Sequence, residues 1–119
     1  MQTPPQEIRL RKESRLLVVD YGELGCFELP FEYLRVYSPS AEVKGHGPGQ
    51  ETLQVGKEQV DISRIEPVGH YALRLVFDDG HDSGLYSWKY LLELGLNHAK
   101  WWRDYLDRLA GAGYPARSD

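Results

Sequence analysis

The most regular alternation of apolar and polar residues lies between Pro67 and Trp88. From Tyr71 to Phe77 every second residue is large and apolar, which is the period of a β-strand. Two aspartates and Gly80 follow, and a glycine that adopts a positive φ favours a two-residue hairpin turn. We therefore expect the chain to fold straight back through the residues from Gly84 to Tyr86.

This turn gathers polar residues at the hairpin tip, where side chains are usually positioned but not buried. The residues concerned are Asp79, His81, Asp82 and Ser83. If the protein has a chemical site, the tip is the first candidate.

The N-terminal part of the chain predicts three strands and a short helix. The strands fall at residues 8–11, 16–19 and 25–29, each an apolar run bounded by turn formers. Pro30 suits a first helical turn, so we expect a helix from Pro30 to about Val36. A helix this short is not stable alone and must dock Phe31 and Leu34 on the sheet.

A segment rich in glycine and proline, residues 38–57, comes next and predicts a long loop. Loops of this length inside a compact domain are usually functional or mobile, and both interpretations stay open. His46 lies between two glycines of this loop, where a lone histidine is more often solvated than bound to a ligand.

After the loop, Val60 to Ile65 leads into the alternating strand, and beyond the hairpin the apolar period changes from two to about 3.6. Ser87 is a candidate N-cap for a helix that Gly95 ends, and Asn97 is a candidate cap for a second helix. An aromatic and leucine stripe on the second helix fits packing against the sheet better than a partner surface. It consists of Trp101, Trp102, Tyr105, Leu106 and Leu109.

The sequence thus predicts an α+β fold, with a mainly antiparallel β-sheet, a short helix after the third strand and C-terminal helices packed on the sheet. We expect a flexible N-terminus at 1–6, one domain at 7–112 and a C-terminal tail at 113–119. A chain of 119 residues with 41% hydrophobic residues is long enough for one core and too short for two.

Charge and cysteine content exclude several classes of function. A net charge of −4 argues against a general nucleic-acid binder, which needs a basic face to displace counterions from phosphates. Cys26 is the only cysteine, so there is no intramolecular disulfide and no cysteine-rich zinc motif, and a reducing compartment fits best. Neither a signal peptide nor a membrane span is recognisable, so we expect a cytoplasmic protein.

No catalytic motif accompanies these features. No histidine is followed two residues later by a carboxylate, as is common in iron oxygenases, and there is no G-x-S-x-G elbow, P-loop or dinucleotide fingerprint. We therefore expect a protein that is not an enzyme. At the hairpin tip, His81 with Asp79 and Asp82 supplies ligand types suited to iron, zinc or manganese. The alternative is that the aspartates make the turn and His81 packs or bonds to the backbone.

Two stretches, LPFEYLRVYSPSAEV and PVGHYALRLVFDDGHDSGLYSWKYL, resemble the gamma-butyrobetaine hydroxylase-like N-terminal domain family, a domain of unknown function. The resemblance covers roughly Ile8 to Leu94, and its most specific part is DGHDSGLYSW. Larger members carry this domain before an iron-dependent oxygenase domain or after an ATPase of iron–sulfur cluster transfer. This chain resembles a stand-alone form, so the oxygenase activity is not carried over to it.

In hydroxylase members the domain binds zinc through three cysteines and a histidine. The resemblance places those cysteines at Ser38, Ser40 and Val43 of this chain, and only His81 matches. Serine is a poor zinc ligand and valine is none. We therefore expect hydrogen bonds or packing to hold the Ser-Pro-Ser segment, with His81 either stabilising the turn or serving another metal or a partner.

The leading interpretation is a small non-catalytic binding or accessory module. Its link to iron or iron–sulfur metabolism rests only on the domains that accompany this domain in larger family members. Its partner is expected to be another protein, bound through the long loop and the hairpin, including an exposed Tyr86. The candidate partner-binding residues are Ser38, Pro39, Ser40, His46, Tyr86 and Trp88. The alternative is a metal-binding protein that holds iron or another divalent ion with His81, Asp79 and Asp82.

Overall fold

Two three-stranded antiparallel sheets and four α-helices make up the part of the chain that the structure describes, residues 4–44 and 52–115 of a computed structural model. The α+β class is confirmed, but the strands form two separate sheets where the pattern predicted one. In these two ranges no helix has the length and apolar character needed to cross a bilayer.

The first sheet contains β1 (Glu7–Arg11), β2 (Leu16–Asp20) and β3 (Cys26–Pro30) in that order. The three predicted strands are confirmed, each shifted by no more than one residue. The middle strand β2 is covered on both sides, and its Leu17–Val19 stretch is fully buried.

Helix α1 (Phe31–Val36) follows β3 directly, and Pro30 precedes it with φ −61° and ψ 146°. Since the proline ring already fixes φ near this value, the change from strand to helix takes place at a residue that favours it. Phe31 and Leu34 are buried in the core, as predicted for a helix that depends on docking.

The second sheet contains β4 (Ile62–Val68), β5 (Ala72–Phe77) and β6 (Leu85–Ser87), with β5 in the middle. Leu73, Leu75 and Phe77 are buried, which confirms the inward positions of the alternation. Tyr71 was predicted to share their direction, but it precedes the strand and is 53% exposed. The inward-facing positions therefore begin at Leu73, two residues later than the sequence indicated.

The expected two-residue hairpin after β5 is wrong. Residues 78–84 separate the two strands, and only three residues of β6 pair with β5, from Ala72↔Ser87 to Arg74↔Leu85. Gly80 does adopt a positive φ, +91°, in a tight turn that the Phe77 N–H closes on the His81 carbonyl at 3.0 Å. Beyond this turn the chain leaves the sheet because its polar side chains bond to α1 and to the segment after it.

Helices α3 (Trp88–Leu96) and α4 (His98–Gly111) complete the fold, and α2 (Ala41–Lys44) is a short helix within the segment predicted to be a loop. Ser87 caps α3 as predicted, because its hydroxyl accepts a hydrogen bond from the Tyr90 N–H at 3.1 Å. The prediction that Gly95 ends this helix is wrong. Gly95 lies inside α3, where a Cβ atom would stand 2.5 Å from Cγ of Phe27.

Asn97 connects the two C-terminal helices in a different way from the one expected. Its side chain makes no hydrogen bond at the start of α4, and its Nδ2 instead donates to the Glu93 carbonyl of α3 at 2.9 Å. Asn97 therefore caps the end of α3. Tyr105 and Leu109 of the predicted α4 stripe are buried, and Trp101 and Trp102 are half-buried against the core.

Two tyrosine hydroxyls form hydrogen bonds between elements that pack around the core. Tyr33 donates to the Leu94 carbonyl at 2.7 Å and Tyr86 donates to the Leu34 carbonyl at 2.6 Å. Both rings are fully buried, so these bonds satisfy hydroxyl groups that would otherwise be costly in an apolar core. The Tyr33 bond joins α1 to α3 and the Tyr86 bond joins β6 to α1, so both help to position the segment that leaves α1 at Tyr37.

Candidate functional site

The predicted hairpin tip and the segment after α1 meet in one hydrogen-bonded cluster. Nε2 of His81 lies 2.8 Å from the Ser38 hydroxyl, and Nδ1 lies 3.2 Å from Oε2 of Glu42. Ser38 has no exposed surface and His81 is 5% exposed. Both ring nitrogens of a buried histidine thus have protein partners, and the prediction that the tip is not buried is wrong for His81.

Ser40 extends the same cluster to α2. Its hydroxyl lies 3.0 Å from the Ser83 hydroxyl and accepts a hydrogen bond from the Glu42 N–H at 3.1 Å. The Ser40 N–H in turn donates to the Ser38 hydroxyl at 3.3 Å. Serine side chains that bond nearby backbone amides favour local turns of this kind, so this segment folds back on itself at the start of α2.

A second polar group adjoins His81 through its backbone and consists of Arg35, Lys57 and Asp79. Nε of Arg35 and Nζ of Lys57 both donate to Oδ2 of Asp79, at 2.8 Å and 2.7 Å. Oδ1 of the same carboxylate accepts the His81 N–H at 3.1 Å. Burial opposes ionisation of Asp79, but the hydrogen bonds from Lys57, Arg35 and the His81 backbone outweigh it and lower the pKa to about 2.

The surroundings keep His81 neutral. Burial lowers the pKa of His81 below its ordinary value, and the Arg35 guanidinium lowers it further, while Glu42 and Asp79 act in the opposite direction. With the neutral ring donating from Nδ1 to the Glu42 carboxylate, Nε2 accepts from the Ser38 hydroxyl.

Hydroxyl, imidazole and carboxylate thus stand in the order that activates a serine nucleophile in hydrolases. The site is nevertheless closed to a substrate. A Cβ atom on Gly84 would lie 2.5 Å from the Ser38 hydroxyl, so the backbone of residue 84 packs directly against the oxygen that would have to attack. The arrangement works chemically as a cross-link between α2, the segment after α1 and the β5–β6 connection.

Two of the predicted partner-binding side chains are buried in the core. Tyr86, which was expected to be exposed, has no exposed surface, because every second residue of β6 faces inward and its hydroxyl bonds to α1. Trp88 is 9% exposed, and its indole Nε1–H donates to the His70 carbonyl at 2.8 Å. Neither ring is available to a partner.

The remaining predicted partner-binding residues differ in how exposed they are. Ser38 and Ser40 are buried in the cluster, Pro39 is half-buried, and His46 lies outside the described residues. The expectation that hydrogen bonds hold this segment is confirmed by the contacts of the two serines.

The metal-ligand candidates each have protein partners. Asp79 bonds to two cations, and Asp82 is half-exposed with its Oδ2 3.7 Å from Nη2 of Arg74. Across residues 4–44 and 52–115 no three side chains of histidine, cysteine, aspartate or glutamate converge in a way that could hold a metal ion.

The zinc ligand positions implied by the family resemblance do come together. Ser38 and Ser40 lie in the His81 cluster, and Val43 is buried beside it at 5% exposure. Two hydroxyl groups and an isopropyl group replace thiolates, so the donor set does not fit zinc.

Sequence reasoning missed Arg35, Glu42 and Lys57. They are ordinary charged residues in the sequence, and their partners are 22 to 44 residues away along the chain. One signal for Arg35 was present in the sequence. Arg35 comes after the two predicted core positions of α1, at a spacing that places it near the buried side of the helix. Its side chain is 8% exposed, and its Nη1 atom has no hydrogen-bond partner among the described residues.

Comparison with known proteins agrees with this fold. Two solution structures determined by NMR match the chain at 50% identity with a TM-score of 0.84, and at 46% identity with a TM-score of 0.80. The first covers 100% of this chain and 94% of its own, and the second covers 96% and 85%.

A crystal structure from Acidithiobacillus ferrooxidans ATCC 23270, described as a protein of unknown function in the DUF971 family, is 40% identical with a TM-score of 0.66. That match covers 78% of this chain and 93% of the other. No curated protein matches the chain. The model of the family described as "gamma-butyrobetaine hydroxylase-like, N-terminal" matches residues 8–92, and the chain therefore belongs to this family.

Proposed function

We propose that this protein is a small non-catalytic binding module that recognises another protein. The observation that supports the proposal is the internal saturation of the polar cluster, in which the Ser38 hydroxyl and both ring nitrogens of His81 are bound by the protein itself. Polar groups that are fully paired inside a fold specify one arrangement of the chain rather than a reaction.

Exposed side chains are connected to this cluster through neighbouring residues, and we propose that they form the binding surface. We name this surface the α2 face and define it by Glu42, Asp82 and Leu85, whose exposed fractions are 70%, 52% and 44%. Glu42 contacts His81, Asp82 follows His81, and Leu85 pairs with Arg74, which contacts Asp82. Asp82 connects the other two residues, since it follows His81 in the chain and lies near Arg74, the strand partner of Leu85.

A rigid support favours binding. Side chains that are already ordered before association lose less conformational entropy when a partner binds, so more of the contact energy appears as affinity. In the proposal, Leu85 is the apolar centre of a protein-binding patch, and Asp82 and Glu42 belong to its polar rim. An accessory role in iron or iron–sulfur metabolism is part of the proposal and comes from the family resemblance. The proposed cytoplasmic location comes from the sequence, in which neither a signal peptide nor a membrane span is recognisable.

The test is cross-linking in the source cells, followed by quantitative mass spectrometry of tagged wild type, a double variant Asp82→Ala/Leu85→Ala, and the control Leu24→Ala. Leu24 is also exposed, at 51%, but lies next to the first sheet. We expect one or more cross-linked proteins whose yield falls about fivefold or more in the double variant and is unchanged in the control. Equal yields from all three proteins would overturn the proposal.

The alternative proposal is a metal-binding protein that uses His81 with Asp79 and Asp82. What favours it is that an imidazole nitrogen and a carboxylate oxygen already lie 3.2 Å apart at His81 and Glu42, with Asp79 bonded to the backbone of the same histidine. To bind metal, Asp79 would have to exchange its contacts with Arg35 and Lys57 for the ion. Metal content therefore separates the two proposals.

A further inference from the structure

An open hollow of about 580 Å³ lies between the end of α1 and the outer side of α4. Its lining residues are Tyr37, Trp101, Asp104, Asp107 and Arg108. Four of the five come from α4, where Trp101, Asp104 and Arg108 stand three and four residues apart and so share one side of the helix.

The floor of the hollow is aromatic and held in place. The rings of Tyr37 and Trp101 stack at 5.6 Å with 28° between their planes, and the Tyr37 hydroxyl donates to the Trp101 carbonyl at 2.6 Å. The Tyr37 carbonyl also accepts a hydrogen bond from the Tyr90 hydroxyl. Both floor rings are only half-buried, so part of their surface faces the hollow.

The walls carry a net negative charge. Asp104 and Asp107 are exposed, and neither forms an ion pair with any residue in the described ranges. The one basic wall residue, Arg108, is already engaged, with its guanidinium carbon 5.8 Å from the centre of the Tyr37 ring. The lining residues thus include two carboxylates and one cation, which gives the hollow a net charge of −1.

From this geometry we propose that the hollow binds a single lysine or arginine side chain of a partner protein. The aliphatic stem lies on the Trp101 indole, where a cation also gains from the ring quadrupole, and the charged head lies between the two carboxylates. Arg108 repels a second cation, so an isolated basic residue fits better than a polybasic run. The inference goes beyond the proposed function because the hollow is on α4, and it does not require the α2 face to bind anything.

The test is an NMR titration of ¹⁵N-labelled protein with a glycine–serine peptide that contains one lysine. The matched probes are the same peptide with the lysine acetylated and with glutamate in its place. We expect the lysine peptide to shift the Trp101 indole N–H resonance, assigned with Trp101→Phe, and the acetylated peptide to leave it unchanged. The Trp88 indole is the internal control, because it is bonded inside the core.

Substitutions of the two carboxylates test whether the lysine peptide binds in the hollow. We expect Asp104→Asn and Asp107→Asn each to weaken lysine-peptide binding about two- to fivefold, as loss of one exposed charge pair does. The matched control Glu13→Gln, an exposed carboxylate near the first sheet, should bind as wild type does.

Three results would overturn the inference. One is equal binding of lysine and acetyl-lysine peptides, or no response of Trp101 to either. Another is tighter binding of the glutamate peptide, which would assign the hollow to an anion through Arg108. The third is a Trp101 shift that depends on protein concentration without peptide, which would assign the hollow to a second copy of this chain. None of these results changes the expected cross-linking pattern of the α2 face.

Discussion

Replacing Asp79 with asparagine removes the charge on which Arg35 and Lys57 converge. The variant keeps the shape of the side chain, and one oxygen can still accept the His81 N–H. The Arg35 side chain, 8% exposed, then has a buried positive charge without a carboxylate partner. A buried charge that loses its partner is strongly destabilising.

Two estimates of the stability lost in Asp79→Asn agree. A pKa lowered from 3.8 to about 2 corresponds to about 2.5 kcal/mol of stability at neutral pH, which partial exposure of Asp79 reduces to about 1–2 kcal/mol. Loss of charge-assisted hydrogen bonds predicts about 2 kcal/mol as well. We therefore expect the free energy of unfolding at pH 7 to fall by about 2 kcal/mol in Asp79→Asn.

The pH dependence has a defined sign. Because the folded pKa of Asp79 lies below the unfolded value, its contribution is fully present above about pH 5 and disappears as the pH falls toward 2. The wild type should thus lose more stability than Asp79→Asn over this range, and the two proteins should become similar at the acid end.

Urea unfolding followed by tryptophan fluorescence measures both effects. The matched control is Asp82→Asn, since Asp82 is half-exposed and only 3.7 Å from a single arginine, and should change stability by less than about 0.5 kcal/mol. Equal losses from the two variants, or identical pH profiles of wild type and Asp79→Asn, would refute the reasoning.

Three further substitutions test the packing that positions the site, each by urea unfolding. Gly95→Ala places a Cβ 2.5 Å from Phe27 Cγ and should lower the free energy of unfolding by about 2 kcal/mol, whereas Gly111→Ala, with nothing within 4 Å, should be near neutral; equal effects would contradict the account. Ser87→Ala removes the α3 N-cap and should lower it by about 1 kcal/mol, and no change would mean that the cap is dispensable. Tyr33→Phe leaves the Leu94 carbonyl without its 2.7 Å partner and should lower it by about 1–2 kcal/mol; wild-type stability would show that another donor replaces the hydroxyl.

Local signals predicted most of the secondary structure. Pro30 and Ser87 mark the starts of α1 and α3 because their effects on φ and on the first helical amides depend only on neighbouring residues. The same local reasoning was wrong for Gly95. A glycine ends a helix by default, and only the Phe27 ring, which packs against it from the first sheet, explains a glycine inside α3.

Pairing between distant strands was less predictable. The alternating patterns of β1 to β6 do not indicate which strands share a sheet, so the sequence analysis predicted one sheet where there are two. The β5–β6 connection was read as a tight hairpin because its turn formers are local, while the contacts that draw it away from the sheet are made with Arg35 and Lys57.

The sequence named several residues of the hydrogen-bonded cluster but not the contacts that join them. Turn chemistry pointed to Asp79 and His81, and the family resemblance pointed to Ser38 and Ser40 as their neighbours. Burial of His81 and the role of Glu42 depend on contacts across 39 to 43 residues of chain, which no local pattern encodes.

The central claim is that the two ring nitrogens of His81 serve a structural cross-link and not a metal ion. The most direct measurement is elemental mass spectrometry of untagged protein purified without chelator, beside His81→Ala, with melting temperatures recorded with and without added Fe²⁺ or Zn²⁺. The account predicts substoichiometric metal in both proteins and no rise in melting temperature with either ion. Near-stoichiometric metal that is lost in His81→Ala, together with metal-dependent stabilisation of the wild type, would contradict it.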